Sequence, residues 1–353
     1  MKAAVIGCGQ MGAAPSARLE GLVPGGWLPI SHVECLRQVE GVELAALCDM
    51  DSALLEARGR HYGITALYTD YRRMLDEVRP DVVTVATRTP PKHDIVTVAC
   101  GAGVRGIYVE KPLANSIAEA DSVLSCAAAA GVTLVYGVNR RYHPTYREAR
   151  RMLLDGAIGE PIEVVAEHGR APLFWSHPHT VDLALFLLER TDLLEVQASL
   201  DPETVEQRGE LHVDSDPVVE HARFTFGSGT SAILLQTGGL SVRVGGTRGT
   251  LTVHGDGSYI QLNRPLREDA AYFLDQRFLP TLPGRSATVT ALAELVGALD
   301  DSGLSPVSSA EIGTGLRMLM GAVWSHLQGS RPVAATDIPQ QLVVTGRYGD
   351  VYA

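Results

Sequence analysis

The sequence predicts an α/β fold: a doubly wound parallel sheet followed by a second, α+β domain built on an antiparallel sheet. Three observations predict it. Short apolar runs alternate with helical patterns through the first 136 residues, the order that gives a parallel sheet covered by helices. From residue 137 onward, strand-like stretches follow one another through short glycine turns, the pattern of antiparallel pairing. A glycine-rich turn comes directly after the first strand. A chain of 353 residues is long enough for two domains.

The elements follow in order. Buried parallel strands are expected at Ala3–Ile6, Val42–Cys48, Val82–Ala86, Ile107–Val109 and Leu134–Val138, each a short apolar run. Helices are expected at His32–Val39, Ser52–Tyr62, Tyr71–Val78, Asp94–Ala102 and Ile117–Ala130. The segment Ala13–Ser31 holds three prolines and Gly25-Gly26, which is loop chemistry, and reads as an insertion in the first crossover. Beyond the boundary between 136 and 137, helices are expected at Thr145–Leu154 and Thr180–Glu189. Strands are expected at Ile162–Glu167, Leu194–Leu200, Val218–Phe226, Ser231–Gln236, Leu240–Val244, Thr250–Val253 and Tyr259–Leu262. The turns between them include Gly227-Ser228-Gly229, Gly238-Gly239 and Gly245-Gly246. Helices at Ala287–Leu299 and Glu311–Leu327 close the domain, which extends to residue 353.

Composition excludes several classes of function. Hydrophobic residues make up 45% and charged residues 20%, the balance of a folded globular chain. The 30 basic and 41 acidic side chains give a net charge of −11, the wrong sign for nucleic acid or an anionic membrane surface. No apolar run reaches the roughly 18–20 residues of a membrane span. Gly7 and Gly9 break the N-terminal apolar stretch, so it does not read as a secretory signal. Five cysteines without C-x-x-C spacing read as buried hydrophobes in a reducing cytoplasm, not as a metal or disulfide framework. Only three basic residues are lysines, Lys2, Lys92 and Lys111.

Gly7-Cys8-Gly9-Gln10-Met11-Gly12 is a G-x-G-x-x-G turn. Its glycines permit a tight turn, a close backbone approach to a pyrophosphate and close helix packing. The acid that should accept from the ribose is Asp49 at the end of the second strand, 37 residues after Gly12. That is about 17 more than the fingerprint wants, and removing Ala13–Ser31 restores the spacing. Asp49 and nearby Asp51 would repel a 2′-phosphate, so NAD is expected rather than NADP. Lys111 ends the fifth strand, where ligands of open α/β sheets bind, and unlike arginine its amine can lose a proton near neutral pH. In the second domain Trp175-Ser176-His177-Pro178-His179-Thr180-Val181-Asp182 opens a helix, with His179 and Asp182 on one face. His179 is the candidate base. His177 reads as structural or peripheral, and no cysteine or acid completes a metal site with the pair.

These elements in this order resemble the glucose–fructose oxidoreductase / inositol dehydrogenase (Gfo/Idh/MocA) family over the whole chain. The specific stretches are Glu110-Lys111-Pro112-Leu113 and Val138-Asn139-Arg140-Arg141-Tyr142. Also matching are Ala86-Thr87-Arg88-Thr89-Pro90-Pro91-Lys92-His93, Gly156-Ala157-Ile158-Gly159-Glu160-Pro161 and His179-x-x-Asp182. The resemblance implies an N-terminal Rossmann domain, and a C-terminal domain with a large open, mostly antiparallel sheet that pairs subunits as a dimer or tetramer. It implies hydride exchange between NAD and a secondary hydroxyl of a sugar-like substrate. Lys111 and His179 would carry the catalysis. Gly7, Gly9, Gln10, Met11, Gly12, Asp49, Thr87, Thr89, Pro90, His93, Glu110 and Lys111 would hold the cofactor.

Many members carry an aspartate four residues before the histidine; here that residue is Trp175, which with Arg141, His177 and Asp182 would face substrate. Asp182 is the alternative group to orient His179. A non-catalytic NAD-binding sugar sensor and an NAD-retaining glycoside hydrolase are the other readings. The acidic run Glu203, Glu206, Glu210, Asp214, Asp216 and Glu220 points to a neutral or amine-bearing sugar, such as an aminoglycoside-like compound.

Overall fold

A computed structural model describes residues 1–227, 229–266, 274–300 and 308–346. Ser228 in the predicted glycine turn, and residues 347–353 at the end of the second domain, lie outside the described residues.

The first sheet is built from β1 (Lys2–Ile6), β2 (Glu43–Cys48), β3 (Leu67–Tyr68), β4 (Val82–Val85), β5 (Gly106–Val109) and β6 (Thr133–Tyr136). All its pairs are parallel and its order is β3-β2-β1-β4-β5-β6, the doubly wound arrangement. The two-residue β3 was not anticipated, because two residues are too few for any periodicity. Its helices are α1 (His32–Leu36), α2 (Ser52–Tyr62), α3 (Tyr71–Val78), α4 (Lys92–Gly101) and α5 (Ile117–Ala129). Local chemistry sets their ends. Asp51 caps α2 by accepting from the amides of Ala53 and Leu54, and Asp70 and Ser116 cap α3 and α5. α1 stops three residues earlier than expected, where the amides of Gln38 and Val39 turn back to Cys35 and Leu36 in a tighter turn.

The insertion does more than lengthen a crossover: it splits the first helix. The amides of His32 and Val33 donate to the carbonyls of Met11 and Gly12 at 2.8 and 3.0 Å, so α1 resumes the turn that the glycine motif begins. Ser16 Oγ staples the base of the excursion by accepting from the amides of Ile30 and Ser31.

The second part adds α6 (Pro144–Leu154), α7 (Leu173–Ser176) and α8 (Pro178–Leu188). Its strands are β7 (Pro161–His168), β8 (Leu193–Leu200), β9 (His212–Val213), β10 (Val219–Phe226), β11 (Ser231–Gln236), β12 (Leu240–Gly246), β13 (Gly249–His254), β14 (Tyr259–Pro265) and β15 (Leu274–Pro280). α9 (Ala287–Leu299), α10 (Ser309–Leu327), β16 (Val333–Ala334) and β17 (Val343–Val344) complete it. Nine strands form one sheet in the order β15-β14-β13-β12-β7-β11-β10-β8-β16. Only β7 and β11 run parallel; the other neighbours are antiparallel. Alternate side chains such as Ala222, Phe224, Ala232 and Leu234 are buried, while Leu235, Tyr259 and Phe278 on the other set are exposed. β15 continues the sheet beyond the last strand that alternation predicted.

The two sheets are not separated by sequence order alone. α9 returns to the first sheet, and one apolar cluster joins Ala3, Val5, Leu36, Tyr108 and Val135 to Ala287, Leu292 and Leu295. Among the described residues no helix is long and apolar enough to cross a membrane.

Candidate active site

The glycine turn admits no side chains at its two critical places. Gly7 has φ +92°, and a Cβ there would lie 2.7 Å from the Ala86 carbonyl carbon. A Cβ on Gly12 would lie 1.8 Å from the Gly7 carbonyl oxygen. The carbonyls of Gly9, Gln10 and Met11 are all taken up, by the amides of Ala13 and Ala14, by Arg18 and by His32. Asp49 stands at the end of β2, its Oδ2 accepting from the Cys8 amide at 2.6 Å and its Oδ1 from the Asp51 amide at 2.9 Å. A carboxylate has about four acceptor positions, so two remain for a ribose diol. Asp51 is committed to capping α2. Just beyond β4, the buried hydroxyls of Thr87 and Thr89 have no hydrogen-bond partner among the described residues. A tight backbone cradle, a carboxylate with spare acceptors and two orphaned hydroxyls fit a dinucleotide. Pro90 lies in the turn leading to α4; His93 bonds Ser122 on α5, with 3.0 Å between Nε2 and Oγ.

Glu110, Lys111 and Pro112 leave β5 in a turn with a cis Lys111–Pro112 peptide. Two residues that sequence reasoning did not assign to the site hold this turn. Lys92 is 1% exposed and donates to the carbonyls of Glu110 (2.6 Å), Lys111 (3.1 Å) and Pro112 (2.8 Å). His32, placed by the split helix, puts Nε2 3.2 Å from Glu110 Oε1. Burial works against ionisation of Glu110, but the His32 contact and the lysines on either side hold its carboxyl below the usual range. No local motif announces His32; Lys92 stands in the Ala86–His93 stretch, where only the rarity of lysine singles it out.

Lys111 is clasped by Trp175. Its Nζ donates to the Trp175 carbonyl at 2.7 Å and stands 3.6 Å from the centroid of the Trp175 ring. The ring face attracts the ammonium by roughly 0.5–2 kcal/mol. Burial pulls the Lys111 amine down to about 8, against the charges of Glu110 and Asp216. Asp216 Oδ1 and Oδ2 accept from the amides of Phe174 and Trp175 at 2.7 and 2.9 Å, and burial pushes its carboxyl up to about 7. In the sequence Asp216 stands out only as one of an acidic run. Of that run, Asp214 pairs with Arg208 and Glu220 accepts from Ser199.

His179 faces the same region, where burial and the charges of Arg140 and Lys111 hold its imidazole well below the ordinary value. Its Nδ1 has no partner among the described residues. Asp182 therefore does not orient it. Asp182 forms a buried two-point ion pair with Arg141, Oδ2 to Nε at 2.9 Å and Oδ1 to Nη2 at 2.6 Å, with Glu311 as a third member. The expected substrate roles of Arg141 and Asp182 give way to this pair, since each spends its charge on the other. His177 is buried against the His168 ring, 5.0 Å between centroids, and burial pulls it down to about 3. Arg140, beside these imidazoles, is held by Asp256 at 2.7 and 2.9 Å. The insertion reaches the same corner: Trp27 Nε1 donates to the Asp256 carbonyl, and His143 Nε2 lies 2.8 Å from the Gly25 carbonyl. Among the described residues no group of three histidine, cysteine or acidic side chains is gathered to hold a metal.

Residues 1–138 match GFO_IDH_MocA, the oxidoreductase family with an NAD-binding Rossmann fold. D-apiose dehydrogenase of Paraburkholderia graminis is 38% identical over 145 residues, 41% of this chain and 38% of that protein. Myo-inositol 2-dehydrogenase of Thermotoga maritima is 26% identical over 141 residues, 40% of this chain and 42% of that protein. The match thus spans about two fifths of these relatives. A crystal structure of an oxidoreductase from Agrobacterium radiobacter, in complex with NAD+, L-tartaric acid and magnesium, has a TM-score of 0.73 at 19% identity and covers 96% of this chain and 99% of that one. Aldose–aldose oxidoreductase from Caulobacter crescentus, complexed with glycerol, gives 0.71 at 20% identity, covering 95% and 99%. At these identities the likeness is one of fold, and it extends over both domains. The family match is thus confined to residues 1–138, the part of the chain that forms the parallel sheet.

Proposed function

We propose that the protein is an NAD-dependent dehydrogenase acting on a secondary hydroxyl of a sugar-like substrate. The observation that carries this reading is the half-buried Lys111 amine at the end of a Rossmann strand, with Glu110 beside it and its charge acting on His179. The relatives named as apiose and inositol dehydrogenases support it. Bound NAD supplies the acceptor for the substrate's hydride. Lys111 hydrogen-bonds the reacting hydroxyl, and with its amine near 8 it is the group able to exchange a proton in the neutral range. His179, neutral throughout that range, accepts a hydrogen bond and receives the proton only when substrate offsets the charges of Arg140 and Lys111. Asp49 selects the unphosphorylated ribose.

The narrower substrate, an amino sugar or aminoglycoside-like compound, has Asp216 and Glu110 in its favour and the cations around His179 against it. A neutral polyol is therefore the first class to test. We further propose a homo-oligomer through the sheet face that exposes Leu235, Tyr259 and Phe278, and a reducing, cytoplasmic setting in keeping with five unpaired cysteines. The test is NADH formation at 340 nm with matched neutral, aminated and phosphorylated sugars and cyclitols. Turnover on none of them, with NAD bound, would refute the dehydrogenase reading.

A further inference from the structure

We propose that Asp216 is a positioning residue of the site: its carboxylate holds Trp175 in the clasp on Lys111. This rests on the reading of Lys111 as the working amine. The contacts run through three segments distant in sequence. Both Asp216 oxygens accept from successive amides, Phe174 and Trp175, at 2.7 and 2.9 Å. The residues after Asp216 continue the attachment: the Leu173 amide donates to the Pro217 carbonyl at 2.8 Å, and Pro172 pairs with Val218. The Trp175 carbonyl and ring then both engage Lys111 Nζ, at 2.7 and 3.6 Å.

The physical argument is one of ordering. α7 has four residues, LFWS, and a helix of one turn has no stability of its own. Its place is decided by what holds its backbone, and Asp216 holds it at the residue that matters. Lysine is a flexible four-carbon stem with a rotatable ammonium. The Trp175 carbonyl fixes one N–H and the ring covers one side of the nitrogen, so the remaining donors have a defined direction. Asp216 acts on the substrate hydroxyl through Trp175 and Lys111, not by touching it.

The test uses the three lysines of the chain, Lys2, Lys92 and Lys111. Lysine labelled with ¹³C at Cε gives three signals. The Trp175 ring current should displace the Lys111 signal upfield, and Trp175→Ala identifies it and gives the position without the ring. In Asp216→Ala and Asp216→Asn, the Lys111 signal should lose at least half of that displacement, while buried Lys92 keeps its shift as the reporter of an intact fold. Asp216→Glu should restore part of it. If the alanine variant perturbs Lys92 as well, the asparagine variant decides. An unmoved Lys111 signal in a folded Asp216 variant would overturn the proposal. On an active substrate, kcat should fall by about 10- to 100-fold with KM for NAD unchanged. Absence of turnover in the wild type would sink the dehydrogenase reading, and the labelled-lysine result would still settle the role of Asp216.

Discussion

Lys92 Nζ lies 2.6 Å from the carbonyl oxygen of Glu110, and this contact ties the first turn of α4 to the strand end that carries Lys111. The same nitrogen reaches the next two carbonyls, so every N–H of one buried ammonium is used. Burial draws Lys92 down to about 7, and three carbonyl acceptors oppose that, because a neutral amine has only two N–H groups to give.

Lys92→Met should therefore damage both fold and reaction. Each charge-assisted hydrogen bond contributes about 1.5–3 kcal/mol, and replacing the donor leaves three buried carbonyls without it. The expected loss is about 3 kcal/mol in urea unfolding, with kcat lowered about 100-fold because Lys111 loses its support, and with NAD affinity little changed. Wild-type turnover in Lys92→Met would show that the turn holds itself.

Cofactor choice should follow Asp49. The wild type should use NAD far better than NADP, and Asp49→Ser should weaken NAD by about 1–3 kcal/mol while narrowing the preference. Titration of the reduced forms, NADH and NADPH, by nucleotide fluorescence, without substrate, checks this. Equal affinity of the wild type for NADP would contradict it.

Oxidation should speed up with rising pH. Alcohol oxidation needs a proton acceptor, and the Lys111 amine is free only above about 8. The value of kcat/KM should climb through that pH and level off above it. The sign for folding is the same: between about 8 and 10.5 the unfolded chain keeps a proton that folded Lys111 has lost, so stability from this group rises with pH in that window. A pH profile that is flat from 7 to 9.5, measured alongside Lys111→Met, would remove Lys111 as the titrating group.

Arg141 should behave as a structural residue. Arg141→Met leaves the buried Asp182 carboxylate unpaired, at a cost of about 3–5 kcal/mol, and the double change with Asp182→Leu should recover most of it. Chemical unfolding of the two single variants and the double variant measures this. A rise in substrate KM without loss of stability would instead return Arg141 to the substrate.

The insertion should be a tie between the two domains. Trp27 is buried near His143, and its indole N–H reaches the Asp256 carbonyl. Trp27→Ala should cost about 3 kcal/mol and open residues 13–31 to protease. Unchanged resistance to cleavage would mean that Ser16 and Glu34 at the base are sufficient.

The sequence by itself determined what is local or periodic. Buried apolar runs mark five of the six strands of the first sheet, helical patterns begin just after the N-caps Asp51, Asp70 and Ser116, and two glycines announce a turn in which a Cβ cannot fit. The spacing from Gly12 to Asp49 marks the Ala13–Ser31 insertion in the sequence alone. The tertiary structure decided what depends on distant partners. That helix α9 covers the first sheet, that His32 meets Glu110 across 78 residues, and that Asp182 serves Arg141 rather than His179 have no spacing signal. The reason is physical: caps, turns and amphipathic faces are fixed by neighbours within a few residues, whereas a buried charge is satisfied by whichever group the packed chain brings within hydrogen-bond reach. Trp175 and Asp216, 41 positions apart, are joined only in that way.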